Sequence, residues 1–272
     1  MSCNWSVYAQ TAKNPLQHDD AIYVSEQGVY KYDLLDLSLK WSALISMQTF
    51  EPVISNDVLY VGSTQGLYAL DILTGHEIWH IEDGFTLFSP VIYNQHLYAG
   101  SLHGILYDIF PSDGTVNWSS QFDGWVYSPV VIPMQKRLWT GGQAHRAIAV
   151  NMDNGEQIHA ITLAQEVIFS PIKIDDESVG YNLFDGSTVI INASSGSISK
   201  IIEGSSQAKN LLLSNGSIFR SNRSGLLDEF SKQSEQINWQ EKYFESGLTI
   251  YAGLKNRLLL SDEDRWLLLF DS

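Results

Sequence analysis

The sequence predicts an all-β fold built from repeated four-stranded sheets. Three observations carry that expectation. Apolar residues come in runs of four or five, rich in β-branched and aromatic types, and each break holds Gly, Asn or Asp. The whole pattern then recurs with a period of about 39 residues, the length of a four-stranded propeller blade. No segment sustains the 3.6-residue apolar spacing of a helix; residues 231–238, the best candidate, are polar and read as a long turn.

The stretch from Pro52 to Trp79 shows the unit most fully. Val53-Ile54 leads in and Asn56-Asp57 turns. Val58 to Val61 is the second strand, Gly62 to Gly66 the next turn, and Leu67 to Leu70 the third strand. Asp71 to Gly75 turns again, and Glu77-Ile78-Trp79 begins the closing strand. Pro90 to Trp118 repeats it, with HLYAGS matching VLYVGS and Trp118 matching Trp79. Taken in order, Pro15 opens the first repeat, which closes at Trp41. Pro52, Pro90, Pro129 and Pro171 open the second to fifth, and the sixth and seventh begin near Lys209 and Thr249. The spacings run from 37 to 42 residues. The fourth repeat has His159 in the Trp slot, the fifth has no Trp there, and the sixth closes at Trp239.

The seventh repeat lacks a fourth strand before Ser272. Residues 1–10 are expected to supply it, with Trp5 as the missing closing Trp, because an open ring would expose two strand edges. The expected fold is therefore a seven-bladed β-propeller, one domain over residues 1–272, closed by its N-terminal strand.

Composition narrows the function. The chain has 272 residues, 16 Lys+Arg against 31 Asp+Glu, and a formal charge of −15. Nucleic acid and anionic membrane both need a basic footprint, so neither is expected as a partner. Cys3 is the only cysteine, which excludes an internal disulfide and zinc-finger spacing. The first residues have no basic or apolar region of a signal peptide, and no apolar run is long enough to cross a bilayer. The expected location is cytoplasmic, or periplasmic if a leader has been removed, and the chain is expected to be monomeric by itself.

The repeat, P-V-I-x4-L-Y-x-G-S followed by G-x-L-Y-A-L-D-x-x-T-G-x3-W, resembles the quinoprotein-type (PQQ-like) propeller repeat and covers essentially the whole chain. Proteins with such repeats include PQQ-dependent alcohol dehydrogenases and the propeller lipoprotein of the bacterial outer-membrane barrel-assembly machinery. The resemblance implies that Trp5, Trp41, Trp79, Trp118 and Trp239 sit between blades and stack on the neighbouring sheet. The quinoprotein enzymes use eight blades, a vicinal disulfide over the cofactor and a Glu/Asn/Asp calcium site. One cysteine and no lid-length insertion depart from that pattern, so no cofactor is expected.

The candidate site lies before the lead-in Pro. Phe50-Glu51-Pro52, Phe88-Ser89-Pro90, Tyr127-Ser128-Pro129 and Phe169-Ser170-Pro171 place an aromatic two residues ahead of it in four consecutive repeats. Asp83-Gly84-Phe85 and Asp123-Gly124-Trp125 add an acid and a second aromatic. In a propeller this segment reaches the mouth of the central channel. The aromatics either wedge blades apart or form a partial ring, rimmed by Glu51, Asp83 and Asp123, that binds a protein or peptide partner, basic by charge complementarity. The site expected on the second reading is Phe50, Glu51, Asp83, Phe85, Phe88, Asp123, Trp125, Tyr127 and Phe169, in a non-catalytic interaction scaffold.

Two alternatives stand beside it. One is a small-molecule binder or lyase-like enzyme with its site in the channel, for which His103 is the candidate, since virginiamycin-lyase-type propellers use a channel His with a metal. The other is an envelope assembly factor, which requires export. The seven His show no metal-ligand spacing, so no metal is expected. Asp175-Asp176-Glu177 and Asp262-Glu263-Asp264 read as solvated turns, and Asn154-Gly155, Asp185-Gly186 and Gly141-Gly142 as turn chemistry. No phosphate-binding loop or nucleophile elbow is present.

Overall fold

A computed structural model describes residues 15–82, 86–204, 208–214, 217–231, 237–243, 247–251, 257–261 and 266–271. Among these, six antiparallel sheets have four strands each and a seventh has three. Every sheet is a meander in which each strand pairs with its sequence neighbour. The second sheet is typical, with strands Val53–Ser55, Val58–Ser63, Gly66–Asp71 and Glu77–Ile81. The sole helix among the described residues is a single 3-10 turn at Pro133–Gln135. The three-stranded sheet has strands Thr249–Tyr251, Arg257–Ser261 and Trp266–Asp271; residues 1–10, expected to complete it, lie outside the described residues, and so does Trp5.

Lead-in strands of consecutive sheets are neighbours. Val53–Ser55 lies beside Val91–Tyr93, Val130–Ile132 beside Ile172–Asp175, and Ala208–Ser214 beside Thr249–Tyr251. They therefore line the inside of the propeller. The apolar core is a set of slabs between adjacent sheets, because strands two and three are apolar on both faces. Leu59 and Val61 pack with Tyr23, Val29 and Trp41 of the first sheet. Leu97 and Ile109 pack with Tyr60, Leu67 and Ala69 of the second.

The closing-strand Trp docks each sheet on the next. The Trp41 indole N–H donates to the Ile72 carbonyl (3.1 Å), Trp79 to Pro111 (2.9 Å) and Trp118 to Met152 (3.0 Å). Each ring covers a glycine of the next sheet's last turn: Gly75, Gly114 and Gly155, all with φ near +70° to +76°. A Cβ at Gly114 would lie 2.8 Å from the Trp79 ring, so the glycine is demanded both by the backbone and by the dock. The structural role implied for Trp41, Trp79 and Trp118 is thus observed; the Trp239 side chain lies outside the described residues. His159 takes the fourth slot as expected, its ring over Gly196 and its Nε2 3.2 Å from the Ser194 carbonyl. Arg137 supplies the lost donation, to the Ala193 carbonyl at 2.7 Å and also to Ser194. In the fifth sheet Lys200 occupies the slot, opposite Ile190.

Two turn assignments need correction. Gly62 and Gly66 belong to strands, and only Thr64-Gln65 turns between them. Gly141-Gly142 ends the strand Arg137–Gly142. The physical reason is close approach, since the incoming linker passes so near that a Cβ at Gly142 would meet the Trp125 carbonyl at 1.5 Å. Asn154-Gly155 and Asp185-Gly186 do form turns, and Asp175 to Glu177 form the end of a strand and its turn.

Candidate functional site at the linker face

The linkers into the second, third and fourth sheets are held by a repeated backbone device. A buried anchor precedes the aromatic: Thr49, Leu87 and Val126 are all inaccessible. Leu87 N–H donates to the Ser63 carbonyl of the sheet it leaves (3.0 Å), and Val126 N–H to Ser101 (2.9 Å). The next residue then bonds to the sheet it enters. Phe50 N–H donates to Gly62 (2.8 Å), Phe88 N–H to Gly100 (2.9 Å) and Tyr127 N–H to Gly141 (3.0 Å). This alternation is fixed by chain geometry, so consecutive aromatics face the same way on the inner edge.

The result is an arc of three touching rings. Phe50 and Phe88 are 5.4 Å apart with planes at 67°, and Phe88 and Tyr127 are 5.2 Å apart at 47°, both in the favourable edge or tilted range. All three are half-buried. Burial, and secondarily the charge of Glu166, raises the Tyr127 hydroxyl above its ordinary pKa, which keeps it a neutral donor.

Phe169 does not join the arc, although the sequence pattern expects it there. The anchor of its linker is Val167, bridged to Leu183 as Leu87 is to Ser101. Ile168 therefore occupies the place of Phe88 and Tyr127, with its N–H on the Asn182 carbonyl at 3.3 Å. One extra residue between anchor and Pro pushes Phe169 to an exposed position. Trp125 is exposed beside the arc's end, on the same linker as Tyr127. Glu51 is half-buried next to Phe50. Asp83 and Phe85 lie outside the described residues.

The rim is less one-signed than the sequence suggests. Asp123 lies 4.0 Å from Arg146, and Glu166 lies 3.9 Å from His145. Arg146 and His145 carry no motif; they reach the linkers only because the turn between the second and third strands of the fourth sheet is at this face, and Glu166 lies on the linker that leaves that sheet. His103 sits exposed on the equivalent turn of the third sheet, its carbonyl accepting from Gln121 Nε2 (2.7 Å). Among the described residues no three His, Cys, Asp or Glu side chains converge to hold a metal, and no helix is long and apolar enough to cross a membrane.

The comparisons agree on the propeller. A family model described as outer membrane protein assembly factor BamB matches residues 4–82 and 46–241. The crystal structure of BamB from Moraxella catarrhalis is 16% identical, with a TM-score of 0.73 over 90% of this chain and 76% of that one. The computationally designed Ika8 protein is 12% identical with a TM-score of 0.76, covering 97% of each chain. The WD40 propeller domain of Doa1 is also 12% identical at 0.76, over 95% of this chain and 92% of that one. No curated protein matches the sequence. At these identities the solved structures speak to the fold alone.

Proposed function

We propose a non-catalytic, partner-binding function for this chain, which belongs to the family of the outer membrane protein assembly factor BamB. In this reading residues 1–272 form one seven-bladed propeller, the last blade being completed by residues 1–10. The linker face is the recognition surface. The observation that carries the reading is the arc Phe50–Phe88–Tyr127, held by the same backbone bonds in each linker and flanked by exposed Trp125 and Phe169. Preorganised aromatic side chains beside a polar rim lose little entropy on binding and make good anchors. The partner is a protein or peptide, and Glu51, Asp83 and Asp123 favour a basic one.

The test is affinity capture from the native lysate with wild type and with Phe88→Ala/Tyr127→Ala, after thermal melting shows that the variant is folded. Expected is a partner retained by wild type and lost by the variant. A partner held equally by both removes the arc from the interface. Family membership favours a more specific form of the reading, a role in assembling outer-membrane proteins. Co-fractionation of the native protein with the cell envelope supports that form, and a wholly cytoplasmic distribution removes it.

A further inference from the structure

The face opposite the linkers carries a second feature. Between the second and third sheets, where the lead-in hairpins turn, runs a groove of about 420 Å³. Its floor is Tyr60 and Trp79, ring centroids 5.8 Å apart. Both polar ends are already used: the Tyr60 hydroxyl (3.2 Å) and the Trp79 indole N–H (2.9 Å) donate to the Pro111 carbonyl. Its walls are Tyr93, Phe110 and Ile78, which are 39%, 38% and 49% exposed. The groove thus offers ring faces and apolar edges to a ligand.

Two of these residues break the repeat. In the first, second, fourth and fifth sheets the position of Phe110 is held by turn-capping residues. Asp33, Asp71, Asn151 and Asn192 each accept backbone N–H bonds from the turn that follows, at 2.8 to 3.1 Å. Phe110 cannot do so, and the chain gives up a cap there to expose an aromatic ring. Tyr93 stands where the second sheet has Ser55. Both departures face the same groove.

Charge and an internal precedent say what fits it. Residues 41–135 contain nine Asp and Glu and no Lys or Arg. Asp57, Glu77 and Asp113 each adjoin a groove residue in sequence, and among the described residues none is paired with a Lys or Arg. In the first sheet, Lys31 places its ammonium 5.6 Å from the centre of the Tyr23 ring and donates to the Ile72 carbonyl at 2.9 Å. Tyr60 is the counterpart of Tyr23, but Ala69 stands in the place of Lys31, each opposite its sheet's closing Trp.

We propose that this groove binds a lysine or arginine side chain of an extended peptide, its cation held by the aromatic faces of Tyr93, Phe110 and Trp79 within the anionic sector. It is a site separate from the linker face.

The test is chemical-shift mapping of the full chain with an acetylated, amidated Lys-Gly repeat peptide and its Glu-Gly counterpart. The lysine peptide should shift the amides of Tyr93, Asn94 and Phe110 and the glutamate peptide should not, with affinity falling as salt is added. Phe110→Asn restores the residue type the fourth and fifth sheets use, so the variant should melt no lower than wild type yet lose at least about tenfold in affinity. Tyr93→Ser, with the residue of the second sheet, should lose affinity in the same way and keeps the test open if the first variant fails to fold. Phe88→Ala/Tyr127→Ala should bind the lysine peptide as wild type does, whatever happens to its captured partner. The proposal is overturned by equal binding of the two peptides, by undiminished binding in folded Phe110→Asn or Tyr93→Ser, or by shifts confined to the linker face.

Discussion

Interfaces in the first half of the propeller are docked by tryptophan, whereas the interface between the fifth and sixth sheets is docked by arginine. Trp41, Trp79 and Trp118 each reach forward to a carbonyl of the next sheet's turn, and the second-strand residues that face these interfaces are small: Val61, Ala99 and Thr140. As the closing slot passes to His159 and then Lys200, the facing residue grows to Tyr181 and then Arg220. The Tyr181 hydroxyl donates back to the Thr140 carbonyl at 3.0 Å. Arg220 donates back to the Gly186, Ile202 and Glu203 carbonyls at 2.8 to 3.1 Å, and Asp228 balances its charge at 2.7 Å with both side chains almost fully buried. The difference teaches that the interface needs a donor for the neighbour's carbonyls and enough bulk to exclude water. Either sheet can supply them, as a neutral indole or as a compensated charge.

Breaking the charged side has the largest expected effect. Arg220→Met leaves Asp228 buried without its counter-charge and should cost about 3–5 kcal/mol in urea unfolding, while Arg220→Met/Asp228→Leu should recover most of that loss. A single variant as stable as wild type would show that Arg220 is not what ties these sheets. Trp79→Ala attacks the neutral side. It should cost about 3 kcal/mol, the low end for a large aromatic because the ring is partly exposed. Melting within error of the parent would remove Trp79 from the docking role. Gly114→Ala sharpens the same contact from the other partner, since its Cβ would meet the Trp79 ring and its φ of +76° disfavours any side chain. A loss of about 1–3 kcal/mol is expected, and it should shrink in the Trp79→Ala background. Simple additivity of the two changes would mean that backbone strain alone explains the glycine.

Much of this was legible in the chain. The short β-branched and aromatic runs, the turn pair Asn56-Asp57 and the recurring Trp all act within one repeat, and the structure places the runs, that turn and Trp41, Trp79 and Trp118 where the pattern expects. The aromatic arc was legible for Phe50, Phe88 and Tyr127 because the linker repeats without change. It failed at Phe169, where one inserted residue shifts the anchor to Val167 and the register with it. Gly141-Gly142 misled because a glycine needed for close approach is indistinguishable in sequence from one needed for a turn.

The sequence by itself determined the repeat, the strands, most of their turns and the recurrence of the closing tryptophan, because hairpin geometry depends on residues a few positions apart. Only the tertiary structure decided which distant side chains meet. It put Arg146 beside Asp123, Arg137 in support of His159, Arg220 on Asp228 and against the fifth sheet's carbonyls, and Tyr93 and Phe110 around one groove. The Arg220 bonds to the fifth sheet and the groove between the second and third sheets depend on how one sheet is rotated against the next, whereas the Arg137–His159 and Arg220–Asp228 contacts lie within one sheet and follow from strand register; most of these residues are tens of positions apart, beyond the reach of a local pattern.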